Sequence, residues 1–327
     1  MDKEKKENSR KEHRTSIGGQ AVMEGVMMRG PHNVATAVRK PDGEIVIDDM
    51  KLGKIRTGRF VKLPIVRGCV NFIDSMIIGV KSLMFSAQFI DVDDDGEPIE
   101  QEPSKFEMWL DEKLGSEKAM NIVIYISVIF SLALSIGMFI LLPAFITGFL
   151  KSVIQSRVGL TLIEGIVRIA IFVLYLFLVS QMKDIKRVFM YHGAEHKSIF
   201  CYEKGLDLTV ENVRVQSRLH PRCGTSFLFV VVAISILLFA LVSAVFPTSN
   251  MLVRMLIRLA LLPFVVSISY ECNRFVGRHD NALTRALSAP GMWFQHFTTN
   301  EPDDSMLEVA IEALKLVIPD EAGADRW

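Results

Sequence analysis

Cysteine is scarce: the chain has four in 327 residues, Cys69, Cys201, Cys223 and Cys272, with irregular spacing and no CxxC pair. That excludes a small disulfide scaffold, and the four read as reduced thiols in a cytosolic setting. Net charge is missing as well, because 37 basic side chains cancel 37 acidic ones. Nothing in bulk draws in nucleic acid, and no nucleic-acid partner is expected. No P-loop, GxSxG elbow or dinucleotide fingerprint occurs. Residues 1–16 are charged and carry no apolar run, so they predict a solvated, disordered tail rather than a signal peptide. What the chain does have is apolar: half of its residues are hydrophobic and its mean hydropathy is positive. These residues come in blocks.

The 32 residues from Ala119 to Leu150 and the 31 from Cys223 to Val253 contain no Asp, Glu, Lys or Arg. Each exceeds the roughly 20 residues that cross a bilayer. Two further stretches are nearly as apolar but carry Glu164 with Arg168, and Arg254 with Arg258. The sequence therefore predicts a membrane α-helical fold with about four spans, at about 121–147, 160–182, 226–247 and 251–271. Lys and Arg number 19 before the first span and 8 in the loop 183–222, whereas residues 247–250 have none. The positive-inside rule then places both termini and that loop in the cytoplasm. In this topology the four intramembrane charges share a depth near the outer face, and Glu164 is expected to neutralise an arginine of the fourth span.

Outside the spans, residues 17–64 read as a small cytoplasmic β unit. In it, strands at Val34–Arg39 and Glu44–Ile47 flank the turn Lys40-Pro41-Asp42-Gly43. Within this unit Glu24, Arg29 and His32 stand among glycines, either as a substrate loop or as part of a tight-turned structural element. Residues 65–90 predict a helix lying on the membrane or packed on the spans, its charges too evenly spread for a confident crossing. Residues 91–104 read as an acidic linker, and 105–288 as the membrane domain with its cytoplasmic loop. In the cytoplasmic segment 289–327, Ser305 and Glu308 suggest a capping box. Leu307, Ile311, Leu314 and Ile318 keep one face of an amphipathic helix that stops at Pro319.

The residues suited to chemistry follow the second span, in Tyr191-His192-Gly193-Ala194-Glu195-His196-Lys197. On a helix His192 and His196 lie one turn apart on one face and can chelate one divalent metal, zinc foremost. Glu195 stands beside them as a general base, and HxxEH is the order used by inverzincin metalloproteases. Glu271, at the inner end of the fourth span, is a candidate third ligand. His220 and Cys223, just before the third span, are alternative ligands. His296 falls near the same predicted surface.

Five segments in order, GGQAVMEGVMMRGP (18–31), YHGAEHKSIFCYE (191–203), HPRCGTSF (220–227), YECNRF (270–275) and the tail from 289 to 314, resemble the YqhQ family of bacterial membrane proteins. The resemblance covers nearly the whole of 17–318. It implies a multi-pass bacterial inner-membrane protein and a metal-dependent enzyme, without naming a reaction. Two functions follow as expectations. One is a metal-dependent hydrolase at the cytoplasmic membrane surface, acting on a peptide or a lipid-linked amide or ester. The other is a non-catalytic membrane scaffold or assembly factor, whose polar network docks the β unit onto the spans and which would have a membrane-protein partner besides lipids.

Overall fold

The computed structural model describes residues 14–52, 63–89, 116–248, 250–279, 281–321 and 323–326. The charged tail up to residue 13, the acidic linker and the end of the β unit at 53–62 lie outside the described residues. The chain forms two compact units, one of Met1–Gly96, Leu176–Ile234 and Pro263–Trp327, the other of Glu97–Tyr175 and Ser235–Leu262.

The first unit is built on a four-stranded antiparallel meander: β1 (Gly18–Val22), β2 (Gly25–Arg29), β3 (Asn33–Arg39) and β4 (Ile45–Lys51), in that spatial order. The β3–β4 turn is the predicted one. Gly43 takes φ 89°, and its N–H donates to Lys40 O at 2.9 Å. The sheet's middle strands are buried on both faces, so no simple alternation of apolar and polar residues marks them. Val26, Met28, Ala35 and Ala37 pack with α10 (Asp304–Val317), whose apolar face also meets Tyr191, Ala194 and Ile199 of α5 (Lys183–Glu203). Met27 and Val34 point the other way, to Ile78 of α1 (Pro64–Ala87).

α1 is fastened to that second sheet face by polar contacts as well. Arg29 reaches Asp74 at 2.5 Å, and Thr36 meets Ser82 at 3.0 Å. Its opposite side exposes Phe72, Ile73, Ile77 and Leu83. Helix α10 is capped by Asp303, whose carboxylate accepts the Met306 N–H at 3.0 Å. The expected Ser305–Glu308 box does not form, because the helix starts at Asp304 and Ser305 already lies inside it; Glu308 pairs instead with Arg39 at 2.7 Å. The expected end holds, with α10 stopping at Val317 before Pro319. The remaining helices here are the short α6 (Val210–Arg214) and α9 (Ala282–Thr298).

The second unit gathers apolar helices. α2 (Ser116–Ile136) passes through one π turn, Gly137–Leu141, into α3 (Leu142–Gly148). Pro143 has no N–H for the α-helical ladder, and the π turn sits next to it. Phe139 packs edge-on against Phe172 and Tyr175 of α4 (Arg157–Ser180), at 5.9 and 5.4 Å between ring centres. The end of α7 (Gly224–Val245) and the start of α8 (Met251–Arg278) complete it.

Among the described residues, five helical stretches are long and apolar enough to cross a membrane: Val66–Ala87, Tyr125–Gly148, Val158–Ser180, Leu228–Val245 and Met251–Arg278. They are the helices of a multi-pass membrane protein. Four of them coincide with the expected spans, and the fifth is in α1, which passes on length and composition alone. α5 is a separate helix and does not continue the span before it. The chain breaks at Met182, with an extended ψ of 134°, and starts a new helix.

Candidate metal centre

The centre is assembled by four segments of the first unit. From α5 come His192 and His196, their rings 4.4 Å apart as the one-turn spacing requires, with Glu195 between them. Cys223 arrives from the residues just before α7. Segment 15–19, leading into β1, forms one wall, and the end of α9 supports the back. The donor atoms of His192, His196 and Cys223 all lie within 4.8 Å of one another, with Nε2 of His192 3.1 Å from the Cys223 Sγ. His196 and Cys223 line a cavity of about 90 Å³ with Glu195, His220 and residues Thr15 to Gly19.

The outer partners fix which ring atoms face that cavity. His192 Nδ1 lies 2.8 Å from Thr298 O, and His196 Nδ1 lies 2.5 Å from Arg218 O. A carbonyl can only accept, so both Nδ1 atoms carry the proton and both Nε2 atoms turn inward. This is how metal-bound imidazoles are usually oriented. His196 Nε2 has no hydrogen-bond partner among the described residues, although the ring is buried. Glu195 Oε1 accepts the Gly19 N–H at 3.0 Å, and its Oε2 is also unpartnered, 3.9 Å from His192 Nε2. A tetrahedral ion with bonds of about 2.05 Å to nitrogen and about 2.3 Å to sulfur sets its ligand atoms about 3.4–3.6 Å apart. The observed spacings bracket that range, so the residues fit a small divalent cation with one position left over.

The electrostatics agree. Burial alone would push the Cys223 thiol up, but the two imidazoles outweigh it and hold the thiol well below its ordinary value of 9.0. Burial would likewise lower His192, yet the Cys223 charge beside Nε2, with Glu195, brings it from 6.5 to about 9. Both shifts favour the deprotonated thiol that a metal ligand must be. Burial raises Glu195 above the ordinary carboxylate value, with His192 and His196 opposing. A base poised nearer neutrality suits proton transfer.

Of the residues expected from the sequence, His192, His196, Glu195 and Cys223 come together, whereas Glu271 does not join them. Its carboxylate is held by both arms of the Arg67 guanidinium, from α1. The expectation failed because sequence distance and topology put Glu271 near the inner surface but could not show that a cation had claimed it. His220 lies behind the centre and is not among the clustered ligands. Its ring packs 5.6 Å from His196, and its Nε2 faces Glu203 at 3.5 Å. Burial lowers the His220 pKa, while Glu203 opposes the change. His296 is exposed; its neighbour Gln295 is buried, accepting the His220 N–H and donating to the His220 carbonyl, both at 2.7 Å.

Glu24, Arg29 and His32 form no substrate loop. Glu24 sits in the β1–β2 turn with φ 48°, clamped by Arg187 at 2.5 Å, while Arg29 serves α1 and the carbonyl of His32 receives the Leu52 N–H. Two contributors went unseen in the sequence. Gly19 must be glycine, since a Cβ there would stand 2.6 Å from Met27 O and 3.0 Å from the Glu195 side chain. The end of the predicted tail is ordered: Thr15 is buried, its N–H donating to Glu203 at 2.9 Å and its hydroxyl to Asp325 at 2.5 Å.

Residues 63–320 match the family described as "Protein of unknown function (DUF1385)". The chain is 36% identical over 312 residues to the protein named "Uncharacterized protein YqhQ" of Bacillus subtilis (strain 168), covering 94% of this chain and 93% of that one. No solved structure matches.

Proposed function

The chain belongs to the DUF1385 family of proteins of unknown function, and we propose that it is a four-crossing protein of the bacterial cytoplasmic membrane with a metal-dependent hydrolytic centre on its cytoplasmic face. The crossing count rests on parity. The sheet packs directly on α5 and α10, so all three lie on one side of the membrane. Between sheet and α5 the chain runs through three candidate spans, in α1, α2–α3 and α4, and an even number of them must cross. α1 is the one that does not, because from Asp74 to Ser82 it lies on the second sheet face and it offers an apolar stripe outward, as an interfacial helix does. The density of Lys and Arg before α2 and in 183–222 sets that side as the cytoplasm.

One observation carries the chemical reading: two imidazoles whose Nδ1 atoms are committed to main-chain carbonyls turn their Nε2 atoms toward a buried thiolate, beside an unpartnered carboxylate oxygen. His192, His196 and Cys223 would hold the ion. Two nitrogens and one sulfur favour zinc, and three protein ligands with an open position mark catalytic rather than structural sites. A divalent cation there would acidify a water and polarise a carbonyl. Glu195 Oε2 then takes the water's proton and returns it to the leaving group, while Oε1 stays fixed by Gly19. The cavity of about 90 Å³ admits a scissile ester or amide group but not a bulky side chain. Its place beside the membrane surface favours a peptide or a lipid-linked substrate.

Metal analysis of protein purified without chelator tests this. Near-stoichiometric zinc, manganese or iron is expected in wild type and in Glu195→Gln, and loss is expected in His192→Ala and Cys223→Ser. The scaffold reading draws on one observation of its own, that the Glu195–Gly19 bond docks β1 on α5. It is the reading that survives if wild type carries no metal.

A further inference from the structure

The second unit contains a cavity of about 190 Å³ that the metal centre does not use. Its walls combine apolar side chains such as Leu160, Phe239 and Leu261 with Arg254 and Arg258. Arg258 is 2% exposed and Arg254 9%, with Arg168 and Glu164 buried close by. One carboxylate serves two of the three guanidinium groups: Glu164 pairs with Arg168 at 3.1 Å and with Arg258. Arg168 also donates to Ser235 at 2.6 Å, and Arg254 to Ala144 O at 2.8 Å. Arg168 and Arg258 further lie over the Phe239 ring at 5.1 and 5.5 Å.

The inventory does not close. Two positive charges exceed the single negative one, and Arg254 Nε and Arg258 Nη1 have no hydrogen-bond partner among the described residues. Buried cations in a membrane are kept where they have an anion or water to meet, because leaving them bare costs several kcal/mol each. The space is more than ten times the roughly 15 Å³ that holds one water. Arg254 and Arg258 are the fourth and eighth residues of α8, within about 11 Å of its first residue at 1.5 Å per residue. With the start of α8 at the membrane surface, Arg254 stands about 4.5 Å in, within the roughly 5–8 Å polar layer of a bilayer, and Arg258 just below that layer.

We propose that this cavity binds the phosphate of an anionic lipid headgroup, with Arg254 and Arg258 as its ligands and the apolar walls receiving the acyl chains. The inference goes beyond the hydrolytic reading and does not depend on it. Guanidinium groups are well matched to phosphate oxygens, and the Glu164 carboxylate keeps the empty site from carrying three bare charges.

The test uses the full chain in detergent, supplemented with phosphatidylglycerol, with phosphatidylcholine or with inorganic phosphate, and reads bound lipid by native mass spectrometry beside the melting temperature. Phosphatidylglycerol should be retained at least tenfold more than phosphatidylcholine and should raise the melting temperature. Arg254→Gln, which leaves the Glu164 pairs in place, should cut that retention at least tenfold. Arg285→Gln in the first unit serves as a control for surface charge and should leave it unchanged. Stabilisation by inorganic phosphate alone, lost in Arg254→Gln, would support the anion site with a soluble source. Equal retention of both lipids with no effect of phosphate would overturn the proposal, as would preference for phosphatidylglycerol that survives Arg254→Gln.

Discussion

Replacing Glu164 by Gln keeps the shape of the side chain and removes the only carboxylate, among the described residues, from a cluster of three buried arginines. Wild type has Glu164 against Arg168 at 3.1 Å and against Arg258, with Glu164 1% exposed. Removing one partner of a buried pair costs about 3–5 kcal/mol, since the charges left behind cannot reach water. At an unfolding entropy of roughly 2.1 cal/mol/K per residue, the 327-residue chain has about 0.7 kcal/mol/K. The melting temperature in detergent should therefore fall by about 4–7 °C. A double-mutant cycle with Arg258→Gln makes the assay specific: the double variant should be markedly less destabilised than the two single losses added together, by about 1–3 kcal/mol of coupling. Additive losses, or a melting temperature in Glu164→Gln within about 1 °C of wild type, would refute the claim that this carboxylate neutralises the arginines.

Gly19→Ala places a methyl group against Met27 O and the Glu195 side chain, so it should lower hydrolytic turnover at least tenfold while metal content, set by residues it does not touch, stays near wild type. Glu203 is held below its ordinary carboxylate value of 4.5: burial opposes this, but His220 and Arg222 outweigh it. A depressed folded pKa means stability that is present above 4.5 and lost as pH falls through the folded value, so Glu203→Gln should be less stable than wild type at pH 7 and approach it in acid. Thermal melts across that range check the sign. Reporters inserted at Pro41, in the exposed β3–β4 turn, and after Asp184 should report one side of the membrane, and a reporter after Thr248 the other. A reporter at Pro41 opposite to that at Asp184 would mean that α1 crosses and that the sheet cannot pack on α5.

Much of this arrangement could be read from the chain. Uncharged runs announce α2–α3 and α7 because no soluble helix needs them, and the HxxEH spacing puts both imidazoles on one face of α5. Glu164 opposite an arginine of α8 followed from the cost of a lone buried charge. Other parts rest on pairings that a linear pattern does not contain. α1 looked ambiguous in sequence because its Arg67, Asp74 and Ser82 answer Glu271, Arg29 and Thr36, all distant in the chain. β2 was hidden as a strand by burial on both faces, which erases alternation. The choice between Glu271 and Cys223 as the third donor also lay beyond the sequence, since both flank predicted spans on the same side and only the contact of Arg67 with Glu271 separates them.

X-ray absorption at the edge of the bound metal tests the central claim most directly, because it counts the atoms around the ion. The account predicts one sulfur at about 2.3 Å and two imidazole nitrogens at about 2.0–2.1 Å, with the sulfur lost in Cys223→Ser and the shell unchanged in Glu271→Gln. A shell without sulfur, a shell altered by Glu271→Gln, or wild-type protein that binds no metal would contradict it.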